Sequence, residues 1–262
     1  MVDELSKNII ISCLHDRKMT GDIIILEETD STNSVLKELA MTGAPEGTVV
    51  IADKQSAGRG RLGRSFFSPE GAGIYMSVLL RPQIELQKSV RITSMAAVAV
   101  ACAMEKESGL FAQIKWVNDV FLNAKKVCGI LAEAGFTPEG ALDYVVLGIG
   151  VNVGRMEFPD ELKEIATSVN NECGYEKVSR NELIAAILNE IEAWYPTIKD
   201  GSFIEENRRH SILLGRDILV LGTDGNASYK AKAVDLDDMG HLIIERNGKR
   251  EELNSGEVSI RL

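Results

Sequence analysis

The chain has 262 residues, 45% hydrophobic and 26% charged, with a formal net charge of −10. That length suits one large domain or a large and a small one, and the composition is that of a globular protein. No apolar run approaches the roughly eighteen residues of a membrane span, and a pI near 5.0 argues against a broad nucleic-acid-binding surface.

Met1-Val2-Asp3-Glu4 is acidic and lacks the layout of a signal peptide. Cys13, Cys102, Cys128 and Cys173 share no C-x-x-C spacing, sit mostly in apolar stretches and read as reduced core residues, which places the protein in the cytosol. Leu5, Ile9, Ile10 and Leu14 predict a short packing helix, and Ile23 to Leu26 a strand. Asp30-Ser31-Thr32-Asn33 then supplies an N-cap for a helix carrying Val35, Leu36, Leu39 and Ala40. Capping alone would explain Ser31 and Thr32, although a helix N-terminus at a strand end also suits polar ligand groups.

Thr48 to Ala52 predicts a buried strand, and Gln55 to Arg64 follows with three glycines and three arginines in its last seven positions. Glycine lets a ligand approach the backbone, and arginine offers a planar fork of donors to an anion. Gly58, Gly60 and Gly63 satisfy G-x-G-x-x-G. A dinucleotide fold would need a helix next, and Phe66 to Gly71 carries Ser, Pro and Gly there instead. A solvated basic hairpin is the plainer alternative. A basic loop on an acidic body favours a small anionic ligand.

Ile74 to Leu80 predicts a buried strand and Val90 to Glu107 a long helix whose centre, Met95 to Ala101, is apolar all round. Gln113 to Trp116, Val120 to Leu122, Lys126 to Glu133 and Tyr144 to Asn152 read as strands. Turns fall at Val117-Asn118-Asp119 and Asn123-Ala124-Lys125, and Gly148 and Gly150 interrupt the last strand. Ser179 to Glu182 reads as a capping box opening a helix through Trp194, and Phe203 to Ser211 as a further helix. Beyond Gly215, short strands alternate with turns such as Asp224-Gly225 and Asn247-Gly248, the pattern of a small all-β barrel.

His15, His210 and His241 lie outside the polar motifs, so a hydrolytic triad is not expected, and no His/Cys/Asp run has zinc spacing. What remains is glycine, arginine and lysine at strand ends, a set suited to chemistry at phosphorus. Lys126 opens an apolar strand, where a solvated strand end is the competing explanation. Lys115, Asn118 and Asp119 are compactly placed, where an Asx turn competes.

Asp-Ser-Thr-Asn at 30–33, Gln55 to Arg64, Phe-Ser-Pro-Glu-Gly at 67–71, Lys-Trp-Val-Asn-Asp at 115–119, Lys-Val-Cys-Gly-Ile-Leu at 126–131 and Gly-Ile-Gly-Val-Asn at 148–152 occur in order. Together they resemble the biotin protein ligases from about residue 22 to the C-terminus, Gly256-Glu257 included. The resemblance implies an α+β fold: a mixed sheet packed with helices, class II synthetase-like, over residues 1–213, then a small SH3-like barrel over 214–262. It implies that biotin is activated with ATP and Mg²⁺ as biotinyl-5′-AMP and passed to a lysine of a biotin carboxyl carrier protein.

Carried over by position, Ser31, Thr32, Asn33 and Gln55, with backbone from Arg59 through Gly60 to Arg61, should hold biotin's ureido ring. Gly129, Gly148 and Val151 should wall its apolar part. Lys126 should face the carboxylate and α-phosphate. Arg59, Arg61 and Arg64 should attend the phosphates, with Gly58, Asn118 and Asn152 on the adenylate side and Asp119 toward metal. Lys126, Arg59 and Arg61 are the expected catalytic residues. Val117 stands where the family usually has proline, and Phe66 where tryptophan is common. The regulatory members carry a winged helix-turn-helix before the catalytic region. Only about twenty residues stand there in this chain, so DNA binding is not expected; relatives that dimerise make a homodimer an expectation. A lipoate ligase would lack the Gly-Arg-Gly-Arg loop, and a nucleic-acid module would want more than 5% aromatics.

Overall fold

The structure is a computed structural model, and the residues described are 3–15, 19–174, 178–222, 227–254 and 256–260. The first half of the chain alternates α1 (Lys7–Ser12), β1 (Ile23–Thr29), α2 (Thr32–Met41), β2 (Val49–Gln55), β3 (Gly73–Leu80) and α3 (Val90–Ser108). Then come β4 (Gln113–Lys115), β5 (Asp119–Leu122), β6 (Lys125–Phe136) and β7 (Leu142–Asn152), followed by α4 (Val169–Glu172), α5 (Arg180–Trp194) and α6 (Ile204–His210). The end of the chain is all strand: β8 (Asp217–Leu221), β9 (Tyr229–Leu236), β10 (Leu242–Arg246), β11 (Lys249–Leu253) and β12 (Glu257–Ser259).

β1 to β7 form one mixed sheet in the order β1-β2-β3-β7-β6-β5-β4, in which only β1 and β2 run parallel. Side chains alternate across it, as the period-two pleat requires. Ile74, Met76, Val78 and Leu80 of β3 and Val145, Leu147, Ile149 and Val151 of β7 enter the main core with α3, α5 and α6. Leu79, Tyr144 and Val146 point the other way and pack with Leu36 and Ala40 of α2. α3 lies between sheet and helices, which is why Met95 to Ala101 are all buried.

β8 to β12 form the expected all-β unit, an antiparallel sheet in the order β11-β10-β9-β8-β12. Its Ile218, Ala233, Leu242 and Ile244 join the same core as the large sheet, so the two sheets are packed together. Asn247 and Gly248 both take positive φ, 51° and 73°, as the β10–β11 hairpin demands. The turn expected at Asp224-Gly225 lies outside the described residues.

One local expectation is corrected and one is refined. Ser179 sits at the N-cap of α5 but its side chain caps nothing. The Arg180 amide donates to the Asp3 carboxylate instead, and the buried Arg180 guanidinium donates to Asp3 O, Asp53 Oδ1 and Gly73 O. A long-range partner has displaced the local box. All four free cysteines belong to or pack against the main core, but only Cys128 is fully buried, and Cys102 also meets Glu206 across 3.9 Å.

Candidate active site

Strand register builds the floor of the site. Tyr75 pairs with Gly150, Gly150 with Gly129 and Gly129 with Asp119, so these four form one row across four strands on the face opposite the main core. The next row is Ser77, Gly148 and Leu131. Glycines in both rows leave a trough. A Cβ on Gly150 would lie 2.6 Å from the Phe66 ring, and one on Gly148 2.2 Å from Asn33 Oδ1. The missing side chains therefore admit Phe66 and Asn33 onto the sheet. Phe66 also meets Tyr75 edge to face at 6.4 Å between centroids.

One end of the trough is polar. The Thr32 amide donates to Gln55 Oε1 at 2.9 Å, and Gln55 Nε2 donates to Ser68 Oγ at 3.2 Å. The buried Ser77 hydroxyl lies 2.7 Å from Thr32 Oγ1 and 2.6 Å from Asn33 Oδ1. Ser31 is the N-cap of α2 by position, yet its side chain makes no capping bond, which leaves it for a ligand. Capping alone does not account for this serine. Its amide donates to Asp30, and that bond holds the Asp30 carboxyl below the usual carboxylate range.

The arginine loop folds over the trough. Arg59 reaches Glu133 on β6 at 3.3 Å and donates to Ser34 Oγ on α2 at 3.2 Å. Glu133 also accepts from Asn33 Nδ2 at 2.7 Å. Arg61 donates to Asn118 Oδ1 at 2.9 Å and to Gly256 O at 3.5 Å, and Arg64 pairs with Glu257 at 2.5 Å. The last strand therefore closes one side of the site.

Lys126 stands at the junction of two cavities of about 120 and 420 Å³, with Arg64, Ser65, Phe66 and Asp119 also lining both. Its Nζ is 2.7 Å from Asp119 Oδ1 and would be 3.3 Å from a Cβ on Gly129, so the lysine arches over that glycine. Lys115 borders the larger cavity, and burial pushes its pKa down. Asn152 borders it too, its Nδ2 donating to Thr167 O while its buried Oδ1 has no hydrogen-bond partner.

Family models match at both ends of this arrangement: the biotin/lipoate A/B protein ligase family over residues 25–152 and the biotin protein ligase C-terminal domain over 213–261. A bifunctional ligase/repressor of Bacillus subtilis is 38% identical over 98% of this chain and 79% of its own. The biotin–[acetyl-CoA-carboxylase] ligase of Mycobacterium tuberculosis is 31% identical over 89% of this chain and 87% of its own. The chain belongs to the biotin protein ligase family. A biotin protein ligase of Aquifex aeolicus solved with biotin and ATP superposes with a TM-score of 0.79 and 32% identity, covering 92% of this chain and 98% of that one.

Most of the residues expected from the biotin protein ligase motifs converge here. Ser31, Thr32, Asn33, Gln55, Arg59, Gly60, Arg61, Asn118, Gly129 and Gly148 line the smaller cavity, Asn152 the larger, and Arg64, Asp119 and Lys126 both. Two do not. Val151 is wholly buried in the main core, because alternation puts it on the face opposite Gly148 and Gly150, and Gly150 takes its place at the cavity. Gly58 lines neither cavity; a Cβ there would meet Ser68 Oγ at 2.6 Å and Phe66 O at 2.7 Å, so it serves the packing of the loop on itself. Sequence reasoning missed Tyr75, Ser77 and Glu133, and it noted Glu257 in the matching stretch without giving it a place in the site. Tyr75 and Ser77 look like ordinary members of an apolar strand, and only the β3–β7 register turns them toward the site.

Proposed function

We propose that the smaller cavity holds biotin and the larger one the nucleotide, with Lys126 serving the reaction where they meet. The observation that carries this reading is the single lysine Nζ at the shared wall, with polar donors and acceptors at the far end of the smaller cavity. The chain is a biotin protein ligase that activates biotin with ATP and transfers it to a carrier protein. A biotin carboxylate oxygen attacks the α-phosphorus, pyrophosphate leaves, and biotinyl-5′-AMP remains. The amine of a carrier lysine then attacks the acyl carbon, and AMP departs with the bonding pair.

Attack of one anion on another needs fixed positive charge at the reacting atoms. Lys126 supplies it between carboxylate and α-phosphate, and Asp119 holds the ammonium in place. Ser31, Thr32 and Gln55 suit the ureido ring, whose carbonyl and two N–H groups need both donors and acceptors. Arg61 and Arg64 suit the phosphates. Asp119 and the unpartnered Asn152 Oδ1 are oxygen donors of the kind Mg²⁺ takes beside substrate phosphates, and they would hold it, where it offsets phosphate charge. A mixed anhydride is open to hydrolysis, and the Gly60–Arg64 loop pinned by Glu133, Asn118 and Glu257 supports exclusion of water.

The carrier is a biotin carboxyl carrier domain. The internal pairing of Arg59, Arg61 and Arg64 and the net charge of −10 argue against DNA as a partner. Four free thiols favour a reducing cytoplasm. No described helix is long and apolar enough to cross a membrane. We also propose a division into domains at residues 1–213 and 214–262, tested by limited proteolysis, and a homodimer, tested by sedimentation. The deciding experiment mixes protein, ATP, Mg²⁺ and a carrier domain with biotin or lipoic acid and weighs the carrier. A biotinyl mass gain with biotin alone is expected. A lipoyl gain, or no gain and no pyrophosphate, would refute the reading. Lys126→Ala should lower pyrophosphate release by about 10²–10³-fold with the fold intact.

A further inference from the structure

No stretch of the sequence has zinc-ligand spacing, yet the fold assembles a ligand set on the helical side of the main sheet, opposite the two cavities. α3 and α6 pack together, with Cys102 and Glu105 three residues apart on one and Glu206 and His210 four apart on the other. Those spacings put each pair on one helix face. Cys102 Sγ is 3.9 Å from Glu206 Oε1, and His210 Nε2 is 3.1 Å from the same oxygen. All three ligand atoms lie within 4.8 Å of one another. Tetrahedral zinc, with Zn–S of about 2.3 Å and Zn–N and Zn–O of about 2.0–2.1 Å, sets S···O near 3.6 Å and N···O near 3.4 Å. The observed S···O separation is longer and the N···O separation shorter than those values, each by about 0.3 Å.

The histidine is already prepared. It is wholly buried and stacked on Phe111 at 5.2 Å, and its Nδ1 lies 2.6 Å from the Ala112 carbonyl. A carbonyl only accepts, so Nδ1 carries a proton, and a guanidinium only donates, so the Arg209 N–H beside Nε2 meets that nitrogen's lone pair. A cationic group occupies that position now: the half-exposed Arg209 guanidinium lies 2.7 Å from both His210 Nε2 and Glu206 Oε1 and 3.2 Å from Glu105. The Glu105 Oε1 atom is buried without a hydrogen-bond partner, which adds negative charge beside the cluster. Burial and the neighbouring glutamates push the Cys102 thiol up to about 12, so in the metal-free protein it is protonated rather than a reactive nucleophile.

We propose that Cys102, Glu206 and His210 bind a zinc-class divalent metal ion, with Arg209 holding the position in the metal-free protein and swinging into solvent when the metal enters. The bound ion ties α3 to α6. Because the Ile212 amide donates to Ile114 O, it also braces β4 at the edge of the sheet.

The test uses the intact, chelator-treated protein and cobalt(II) and zinc(II) as probes. One equivalent of cobalt should bind with thiolate-to-metal charge-transfer absorption and the visible bands of tetrahedral cobalt, and zinc should raise the melting temperature. The near-isosteric Cys102→Ser should lose the charge-transfer band and weaken zinc binding by about tenfold or more, and Glu206→Gln should weaken it too. Cys13→Ser should change neither. Arg209→Met should tighten binding, since it removes the competing cation. Biotinylation by the metal-free Cys102→Ser protein should match that of the metal-free parent. Binding without the thiolate band, a band that survives in Cys102→Ser, or no stoichiometric binding would each overturn the proposal.

Discussion

Gly148 shows how one missing methyl group sets a specificity. Its Cβ would fall 2.2 Å from Asn33 Oδ1, the atom that receives the Ser77 hydroxyl bond. Gly148→Ala should therefore break the Asn33–Ser77 contact and cost about 1–3 kcal/mol of stability through overpacking. Calorimetric biotin affinity should fall with it. Val151→Ala, one sheet face away, gives the contrasting result. It should lower stability by about 2 kcal/mol through a core cavity, with biotin affinity unchanged. Asp30 adds a pH signature. The Ser31 amide, the largest cause, holds its folded pKa below the ordinary 3.8, so its contribution is present above that value and is lost as pH falls through the lower one. In acid unfolding curves, the stability difference between the parent and Asp30→Asn should shrink as pH drops below 3.8.

Among elements, β6 carries the decisive irregularity. Val120 pairs with Cys128 but Phe121 with Lys126, so Val127 is an extra residue in a β-bulge. Val127 and Cys128 both enter the core. Simple alternation from Gly129 would send Lys126 into that core as well, and the bulge returns it to the site face. The loop beside it is held by modest forces. The Arg59–Glu133 pair is partly exposed, and such pairs contribute about 0.2–1 kcal/mol. Glu133→Gln should therefore raise pyrophosphate release without carrier biotinylation by only about 1.5- to 5-fold, a factor that follows from that energy range. Comparing the two product counts in one reaction measures it.

At the scale of the whole molecule, the C-terminal sheet is part of the site. Glu257 grips Arg64, Gly256 O receives Arg61, and Gly240 O receives the buried Trp116 Nε1 at 2.9 Å beside Asn118 and Asp119. Glu257→Ala should weaken ATP binding by a few-fold, since Arg64 loses its anchor, and lower biotin affinity by less, because Glu257 only borders the smaller cavity. Separate titrations with each ligand distinguish the two.

Elements and motifs close in sequence were legible before the fold was known. Apart from the four-residue α4, which sequence reasoning missed, the strands and helices from Ile23 to His210 follow from local pattern, and Ser31, Gln55, Arg61 and Lys126 stand in motifs only a few residues long. Local sequence determines these because backbone preference and side-chain period act over a few residues. The tertiary structure decided what depends on register and on distant partners. It moved Val151 to the core and Gly150 to the cavity, set the Val127 bulge, and gave the start of α5 to Asp3 rather than Ser179. It also brought Cys102 against Glu206, 104 positions away. A one-residue change in register reverses every side chain of a strand, and which helices meet depends on how each packs on the sheet, so neither can be read from a segment taken alone.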